Sequence, residues 1–589
     1  MSMRSTTDRR VPLRFVDKED GPEETGGGVS SSQPQDSSNE GPSSSSGTGR
    51  GRSRFRGQGR RRGADADAAG DAPRSRSPHR QEAWKTEADP DTANPHPPRF
   101  CPKRTPGVQP PLTTGTQGPR DIFSLFFDTE VLKLLCANTN KNAVRNLRLG
   151  KKFAWTDITP EELTKYLGML LFMSVCNFPK ITDFWRKKTI FQVPFPASVM
   201  SRDRFTAITS NLYMSDPEED AVNNQKKGTE KYDLLQKVRS LLDIIRNRCK
   251  SVYHPRKHIS VDERMVATKA RLKIKQYMKA KPTKWGLKFF VLADVNGYTV
   301  DYKLYTGKAQ GASGNGLYFD VVAELVNKDY LRSGYIVYCD NFYTSPLLFR
   351  HLSQQGFGAC GTYRQSRVGV PTTQENALDK KSKRGSIRWI RDGDLLFVKW
   401  MDTREVSICT TVHPVYTGDT VLRWQKSGDG HSQRVPLPRP TAVSEYNKYM
   451  GGVDTSDQML GTNSVHRKTK RWPMTVFQHL LDIAVTNSFI MHKDLSMRQQ
   501  QRPMTRQAFQ EELCAKLLGV PLAGPPNPPA GGHFPVPTNS REDTEKSQKA
   551  SLGRKRCTLC KKSTPWMCEE CKVGLCLQLD RNCFKEYHT

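Results

Sequence analysis

Large apolar side chains are sparse through residue 118 of this chain and then arrive in two different rhythms. Residues 1–118 are rich in Ser, Gly, Pro and charge, which buries too little apolar surface to offset the entropy of ordering, so a disordered basic tail is expected there. Within it RGRSRFRGQGRRR, Arg50 to Arg62, places seven arginines in thirteen residues, the pattern of a nuclear-import or nucleic-acid arm or of a plain solvated tail. From 119 to 257 the apolar positions recur at helical spacing. TPEE, Thr159 to Glu162, reads as an N-cap, a first-turn proline and a Glu placed to return the capping bond. SRDRF at Ser201 opens another helix, and Leu234, Val238, Leu241, Leu242 and Ile245 form one stripe of a third.

Near 258 the period falls from 3.6 to 2. HISVDERMV reads as a strand carrying Asp262, and ATKARLKIK as a continuation with one basic and one apolar face. LKFFVLADVNGYTVDYKLY is a hairpin by its Asn296-Gly297 turn. GYIVYCDNFY is a buried strand ending on Asp340, followed by a helix, a Gly stop and a further strand; strands with an intervening helix predict a mixed α/β sheet over 258–366. Residues 367–440 read as a separate β-rich insertion, a meander turning at Asp392-Gly393. The stretch YNKYMGGVDTSDQMLG then carries Asp454 and Asp457 behind two glycines, within 441–463. A helix opens at Pro473 within 464–519, 520–553 is a Pro- and Gly-rich linker, and 554–589 is crowded with cysteine.

Charge narrows the function classes. Lys and Arg number 92 against 60 Asp and Glu, a net charge of +32, which points to a polyanionic partner. No apolar run reaches the roughly 18 residues of a membrane span and the start lacks the hydrophobic stretch of a signal peptide, so an intracellular protein without membrane association is expected. Thiols stay reduced in that compartment. The fourteen cysteines are therefore not a disulfide framework, and six of them fall within 557–583.

Asp262, Asp340 and Asp454 each stand at or near the end of an apolar element. Singly, each is an ordinary turn former. Brought together they would repel unless divalent cations lay between them, and oxygen-only ligation suits Mg²⁺ or Mn²⁺, two of which can clamp the oxygens of a phosphodiester. Asp457, three residues on, shares the face of Asp454 or is simply a first-turn carboxylate favoured by the helix dipole. Two basic patches are candidates for DNA phosphate: Lys269, Arg271, Lys273, Lys275, Lys279, Lys281 and Lys284, interleaved with Tyr277 and Trp285, and Arg467, Lys468, Lys470 and Arg471, which end on Trp472. Trp472 could stack on a base or anchor the start of its helix. The paired CxxC units Cys557/Cys560 and Cys568/Cys571, with Cys576, Cys583 and His588, are a zinc signal. Two ions need eight ligands and these are seven; Asp580 is the nearest candidate for the eighth.

SVDERM, YCDNFYTS, GACGT, YNKYMGGVDTSDQ and RKTKRWPM, in this order and with MSRDRF upstream, resemble the piggyBac transposases over roughly 120–500 and again at the Cys-rich end. The resemblance implies an RNase H-like DDE/D catalytic core, 258–366 and 441–463, interrupted by the insertion and embedded in a helical dimerisation and DNA-binding domain, 119–257 and 464–519. It makes Asp262, Asp340 and Asp454 a metal-binding catalytic triad and Asp457 the fourth acidic residue. It further implies a nuclear homodimer that excises and integrates an element at TTAA sites. The zinc module would be cross-braced, with Cys557, Cys560 and Cys576 on one ion and Cys568, Cys571, Cys583 and His588 on the other, and would recognise terminal inverted repeats. The alternative is a domesticated DNA-binding protein that retains the carboxylates without transposition.

Overall fold

The computed structural model describes residues 82–93, 97–110, 118–187, 190–279, 281–307, 313–426, 431–521, 533–538 and 554–588. The arginine-rich run 50–62 lies outside them. The chain forms two compact units, one from Met1–Gly107, His254–Ala267 and Arg271–Asp457, the other from Val108–Tyr253, Thr268–Ala270 and Gln458–Thr589.

The first unit is built on one sheet of ten strands: β1 (Lys85–Thr86), β2 (His258–Ala267), β3 (Gln276–Tyr277), β4 (Trp285–Asp294), β5 (Thr299–Leu304), β6 (Ile336–Cys339), β7 (Gly358–Thr362), β8 (Ile387–Asp392), β9 (Leu395–Met401) and β10 (Glu405–Thr410). Their order is β1-β8-β9-β10-β7-β6-β2-β4-β3, with β5 also paired to β4. Only β2–β6 and β6–β7 run parallel. The helix Pro346–Gln354 makes the β6 to β7 crossover, capped by Ser345, whose hydroxyl accepts from Leu348 N. The Asn296-Gly297 turn forms as the sequence predicts, with Gly297 at φ 87°.

Two expectations fail here. Residues 367–440 are not a separate domain: β8, β9 and β10 extend the same sheet, because β10 pairs along the edge of β7, and Ile387, Trp389, Trp400 and Ile408 share one core with Ile336, Tyr338 and Cys360. An uncovered β7 would leave a row of backbone donors and acceptors unpaired. Only the hairpin Thr420–Lys426 with Ser432–Pro438 stands outside that sheet. Nor is the segment before 118 wholly disordered. Trp84 is 1% exposed and donates its indole N–H to Thr373 O, β1 pairs with β8, and Asp91 takes a two-pronged bond from Arg391 at 2.9 and 2.6 Å. One tryptophan and one two-pronged, half-buried ion pair order a stretch whose average composition is that of a tail.

The second unit is helical. Trp472–Arg498 is buried on nearly every side from Met474 to Met491, as an interior helix must be, and it packs on Gln236–Val252. Arg506–Leu518 lies on Pro160–Cys176, where a Cβ at Gly168 would stand 2.7 Å from Leu518 Cγ. Thr159 and Ser201 cap their helices as expected, but Glu162 forks to Arg204 at 2.7 and 2.6 Å. Among the described residues no helix is long and apolar enough to cross a membrane.

The GACGT strand has a steric requirement. A Cβ at Gly361 would fall 2.2 Å from Thr344 Oγ1 and 2.6 Å from Cys339 O, in the loop that carries Asp340. Gly361→Ala is expected to destabilise the first unit by about 1–3 kcal/mol, the usual cost of overpacking a tight site, measured as a lower midpoint in urea unfolding.

Candidate active site

β2 and β6 pair in parallel from His258↔Ile336 to Val261↔Cys339, and there the pairing stops. The next residue of each strand is Asp262 and Asp340. They are neighbours where the parallel pairing ends: Asp340 follows the last residue of β6, while Asp262 stands midway along β2, which continues to Ala267 against β4. Asp340 folds the following loop onto itself: its carboxylate accepts from Phe342 N at 2.8 Å, and its carbonyl accepts from the hydroxyl of Thr344 at 2.9 Å. One carboxylate oxygen each from Asp262, Glu263 and Asp340 lie within 4.8 Å of one another. Glu263 was not foreseen, since strand alternation assigns it to the other face.

The cluster is kept together by cations and by neutralisation. Lys281, from the turn between β3 and β4, donates to Asp262 Oδ2 at 2.9 Å, and Lys288 donates to Glu263 Oε1 at 3.1 Å. Burial, then the charge of Asp262, pushes the Asp340 carboxyl up to about 6 and that of Glu263 up to about 7. Burial alone would lower the Lys281 ammonium, but Asp262, Glu263 and Asp454 outweigh it and raise it. The second oxygen of Glu263 and the hydroxyl of Tyr343 are buried with no hydrogen-bond partner. Oxygen donors crowded in this way suit a hard divalent cation such as Mg²⁺.

Asp454 lies in the first turn of the helix Gly452–Gly461. Its oxygens are not part of the cluster of three, although its charge reaches Lys281. The glycine before it has a reason: a Cβ at Gly452 would meet Ser260 Oγ at 2.5 Å and Asp294 O at 2.7 Å, so only Gly lets the helix seat on β2 and β4. Asp457 is engaged elsewhere. It accepts from Nε of the buried Arg264 at 2.5 Å, while Arg264 Nη2 donates to Ser456 Oγ at 2.7 Å. Asp457 thus fastens the helix to β2, two residues beyond Asp262.

The basic patches divide. Residues 268–275 are not a strand: Lys269 N donates to Thr469 O instead of to a sheet neighbour. Lys269, Arg271, Lys273, Lys279 and Lys284 are nonetheless exposed and Lys275 is half-buried. In the second patch the two arginines serve the fold. Arg467 donates to Phe178 O and Met173 O, at the end of Pro160–Cys176, and Arg471 donates to Thr209 O and Leu212 O, at the end of Arg202–Asn211. Each guanidinium satisfies orphan carbonyls at a negative helix terminus. Lys468 and Lys470 alternate with them and remain exposed, and Trp472 is half-buried in the first turn of its helix. The sequence reading missed Arg364, stacked 4.0 Å from the Phe342 ring, and Arg367, which donates to Phe342 O; both grip the loop behind Asp340.

The cysteines form two clusters: Cys557, Cys560, Cys576 and Cys583, and His533, Cys568, Cys571 and His588. Cys583 therefore joins the first group, contrary to expectation, and His533, not Asp580, completes the second group of four. His533 Nδ1 is 3.1 Å from Cys571 Sγ, and Cys560 and Cys576 sulfurs are 3.5 Å apart, close to the roughly 3.8 Å edge of a tetrahedron with zinc–sulfur bonds of about 2.3 Å. His588 turns Nε2 to Cys571 and shares Nδ1 with Phe584 O at 2.7 Å, the outer bond that orients a ligating imidazole. Burial acts to raise the Cys557 thiol, but N–H groups of Cys560, Cys576 and Leu559 bring it down to about 6, toward the thiolate a metal requires. Part of the expected linker belongs to this module, because Pro535–Pro537 pairs with Trp566–Cys568. The signal was present: His533 is the only histidine between His492 and His588.

Two measurements follow. A carboxyl raised by folding stabilises fully below its unfolded value, about 4, and that contribution is lost as pH climbs through the folded value. His254, His258 and His413, lowered by burial to about 4, act in the opposite sense below about pH 6.5, so the comparison is with a variant. Between pH 5 and 8 the metal-free protein should lose on the order of 1–3 kcal/mol relative to Glu263→Gln in urea unfolding, and Mg²⁺ should stabilise it more at pH 8 than at pH 5. For the cysteine module, His533→Ala should release about half of the bound zinc, counted by elemental analysis, whereas Asp580→Ala should release none.

The family model described as transposase IS4 matches residues 118–489, more than half of the chain. The chain is 27% identical over 482 residues to human PiggyBac transposable element-derived protein 3, covering 80% of this chain and 76% of that one. It is 25% identical over 386 residues to human PiggyBac transposable element-derived protein 2, covering 64% and 61%. Its fold matches a cryo-EM structure of a piggyBac transposase synaptic complex with hairpin DNA, with a TM-score of 0.60 and 23% identity over 80% of this chain and 98% of that one. The chain belongs to the piggyBac-type transposase family.

Proposed function

We propose that this protein is a metal-dependent DNA transposase whose mixed sheet is an RNase H-like core and whose acidic cluster cuts and rejoins phosphodiester bonds. The observation that carries the reading is the adjacency of Asp262 and Asp340 where the parallel pairing of β2 with β6 ends, inside the stretch that matches the transposase model. Asp262 and Asp340 would hold the divalent ion, with Glu263 beside them and Asp454 on the facing helix. A bound Mg²⁺ supplies charge neutralisation for the phosphate under attack. Lys281 touches the Asp262 carboxylate, and the exposed Lys279 and Lys284 stand within three residues of it along the chain, so an arriving phosphate would be drawn along these cations to the acids. Excision and integration at TTAA, a homodimer, nuclear location and zinc-dependent recognition of terminal repeats belong to the same proposal.

The second reading, a binding protein without strand transfer, is favoured by one feature: Asp454 stands apart from the cluster and Asp457 is tied to Arg264. Nicking separates the two. With Mg²⁺ the full chain should nick a plasmid carrying TTAA beside the inverted repeats that flank its reading frame. Asp340→Ala should lower the rate by on the order of 100-fold or more while leaving DNA retardation in a gel unchanged. Binding without any nicking by the wild type decides for the second reading.

A further inference from the structure

Tyr277 and Trp285 are directly opposed across β3 and β4, and both rings face solvent, 51% and 57% exposed. Cross-strand aromatic pairs commonly stabilise a hairpin, but those gain from burying their faces. Here the ring centroids are 4.8 Å apart at 45°, so each ring keeps an outward face. The pair is firmly mounted. A Cβ at Gly286, next to Trp285, would lie 2.3 Å from Val266 O, so the root of β4 is pressed against β2. Met278 N donates to Lys284 O and prolongs the ladder toward the turn. At that turn Lys281 reaches back to Asp262 at 2.9 Å, tying the aromatic hairpin to the acidic cluster.

The surroundings select the occupant. Between Arg271 and Trp285 there are six cations and no Asp or Glu. Lys275 Nζ is 5.8 Å from the Trp285 ring, and Lys279 and Lys284 are exposed. Flat apolar faces set among positive charge of which, among the described residues, only Lys281 has an acidic partner, in Asp262, match a ligand with flat rings and a polyanionic backbone, with the rings free of their complement. A paired base offers no face for stacking except at the end of a duplex. A base also cannot enter between these rings, because two stacking gaps of about 3.4 Å need about 7 Å.

We infer that Tyr277 and Trp285 are a stacking platform for an unpaired base of the DNA strand held at the acidic cluster, received on an outer ring face with its phosphates on Lys275, Lys279 and Lys284. This rests on the DNA-processing reading and adds to it a preference for DNA with a displaced or unpaired nucleotide.

The test uses the full chain without divalent metal and two DNA probes, a blunt duplex and the same duplex with a two-nucleotide overhang carrying 2-aminopurine. The wild type should bind the overhang duplex roughly ten-fold tighter and quench the probe. Tyr277→Ala with Trp285→Ala should abolish the preference and the quenching while leaving the dependence of blunt-duplex binding on salt unchanged. Trp285→Phe should restore both, which excludes misfolding as the cause. Lys279→Gln with Lys284→Gln should instead flatten the salt dependence, by roughly 0.7–0.9 in slope for each phosphate no longer neutralised. If the double alanine variant keeps the preference and the quenching, or the wild type shows neither, the platform is refuted. If the wild type binds no DNA at all, the DNA-processing reading falls and the platform with it.

Discussion

The parallel pairing of β2 with β6 is the constraint on which the rest depends. Side chains on a strand alternate between faces, so a slip of one residue in either strand would put Asp262 and Asp340 on opposite sides of the sheet. Their adjacency is therefore a matter of register, and the molecule protects that register with close approaches no side chain could share. Gly361 fits against Cys339 O and Thr344, and Gly452 against Ser260 and Asp294. The glycines of GACGT and YMGGVD, distant in sequence, pack beside the same pair of strands.

Bringing acids together in a sheet interior is unfavourable, and this site meets the cost in three ways at once. Asp262 has Lys281, and Glu263 has Lys288, itself set over the rings of Phe290 and Tyr318 at 4.6 and 5.0 Å. Asp340 and Glu263 hold their protons longer than free carboxyls do. The two lysines differ in their surroundings. Lys288 is 8% exposed and packed among aromatics, whereas Lys281 is 17% exposed and comes from a turn with exposed lysines on either side.

Much of this was legible in the sequence because it depends on local rules. Thr159, Ser201 and Asn296-Gly297 announce their caps and turn through side chains that satisfy backbone groups a few residues away. Asp262 and Asp340 stand out as carboxylates closing apolar runs. What escaped depends on partners far along the chain. Arg467 and Arg471 look like the lysines they alternate with, and only the folded chain shows helix-end carbonyls waiting about 260 to 295 residues upstream. Trp84 and Asp91 lie in a stretch whose average composition says tail, and averages conceal one tryptophan. The 268–275 alternation was a true record of burial but not of a strand, since Ala270 and Ile274 are buried without any ladder. Glu263 was passed over because strict alternation sends it to the other face.

His533 has a mechanical consequence. The helix Arg506–Leu518 ends 15 residues before His533, a separation that a fully extended chain covers in about 50 Å. Measured to Cys557, the first cysteine of the module, the separation is 39 residues and about 130 Å. Because His533 belongs to the second cluster and Pro535–Pro537 pairs with Trp566–Cys568, the shorter of the two connections is the one that limits the module's reach.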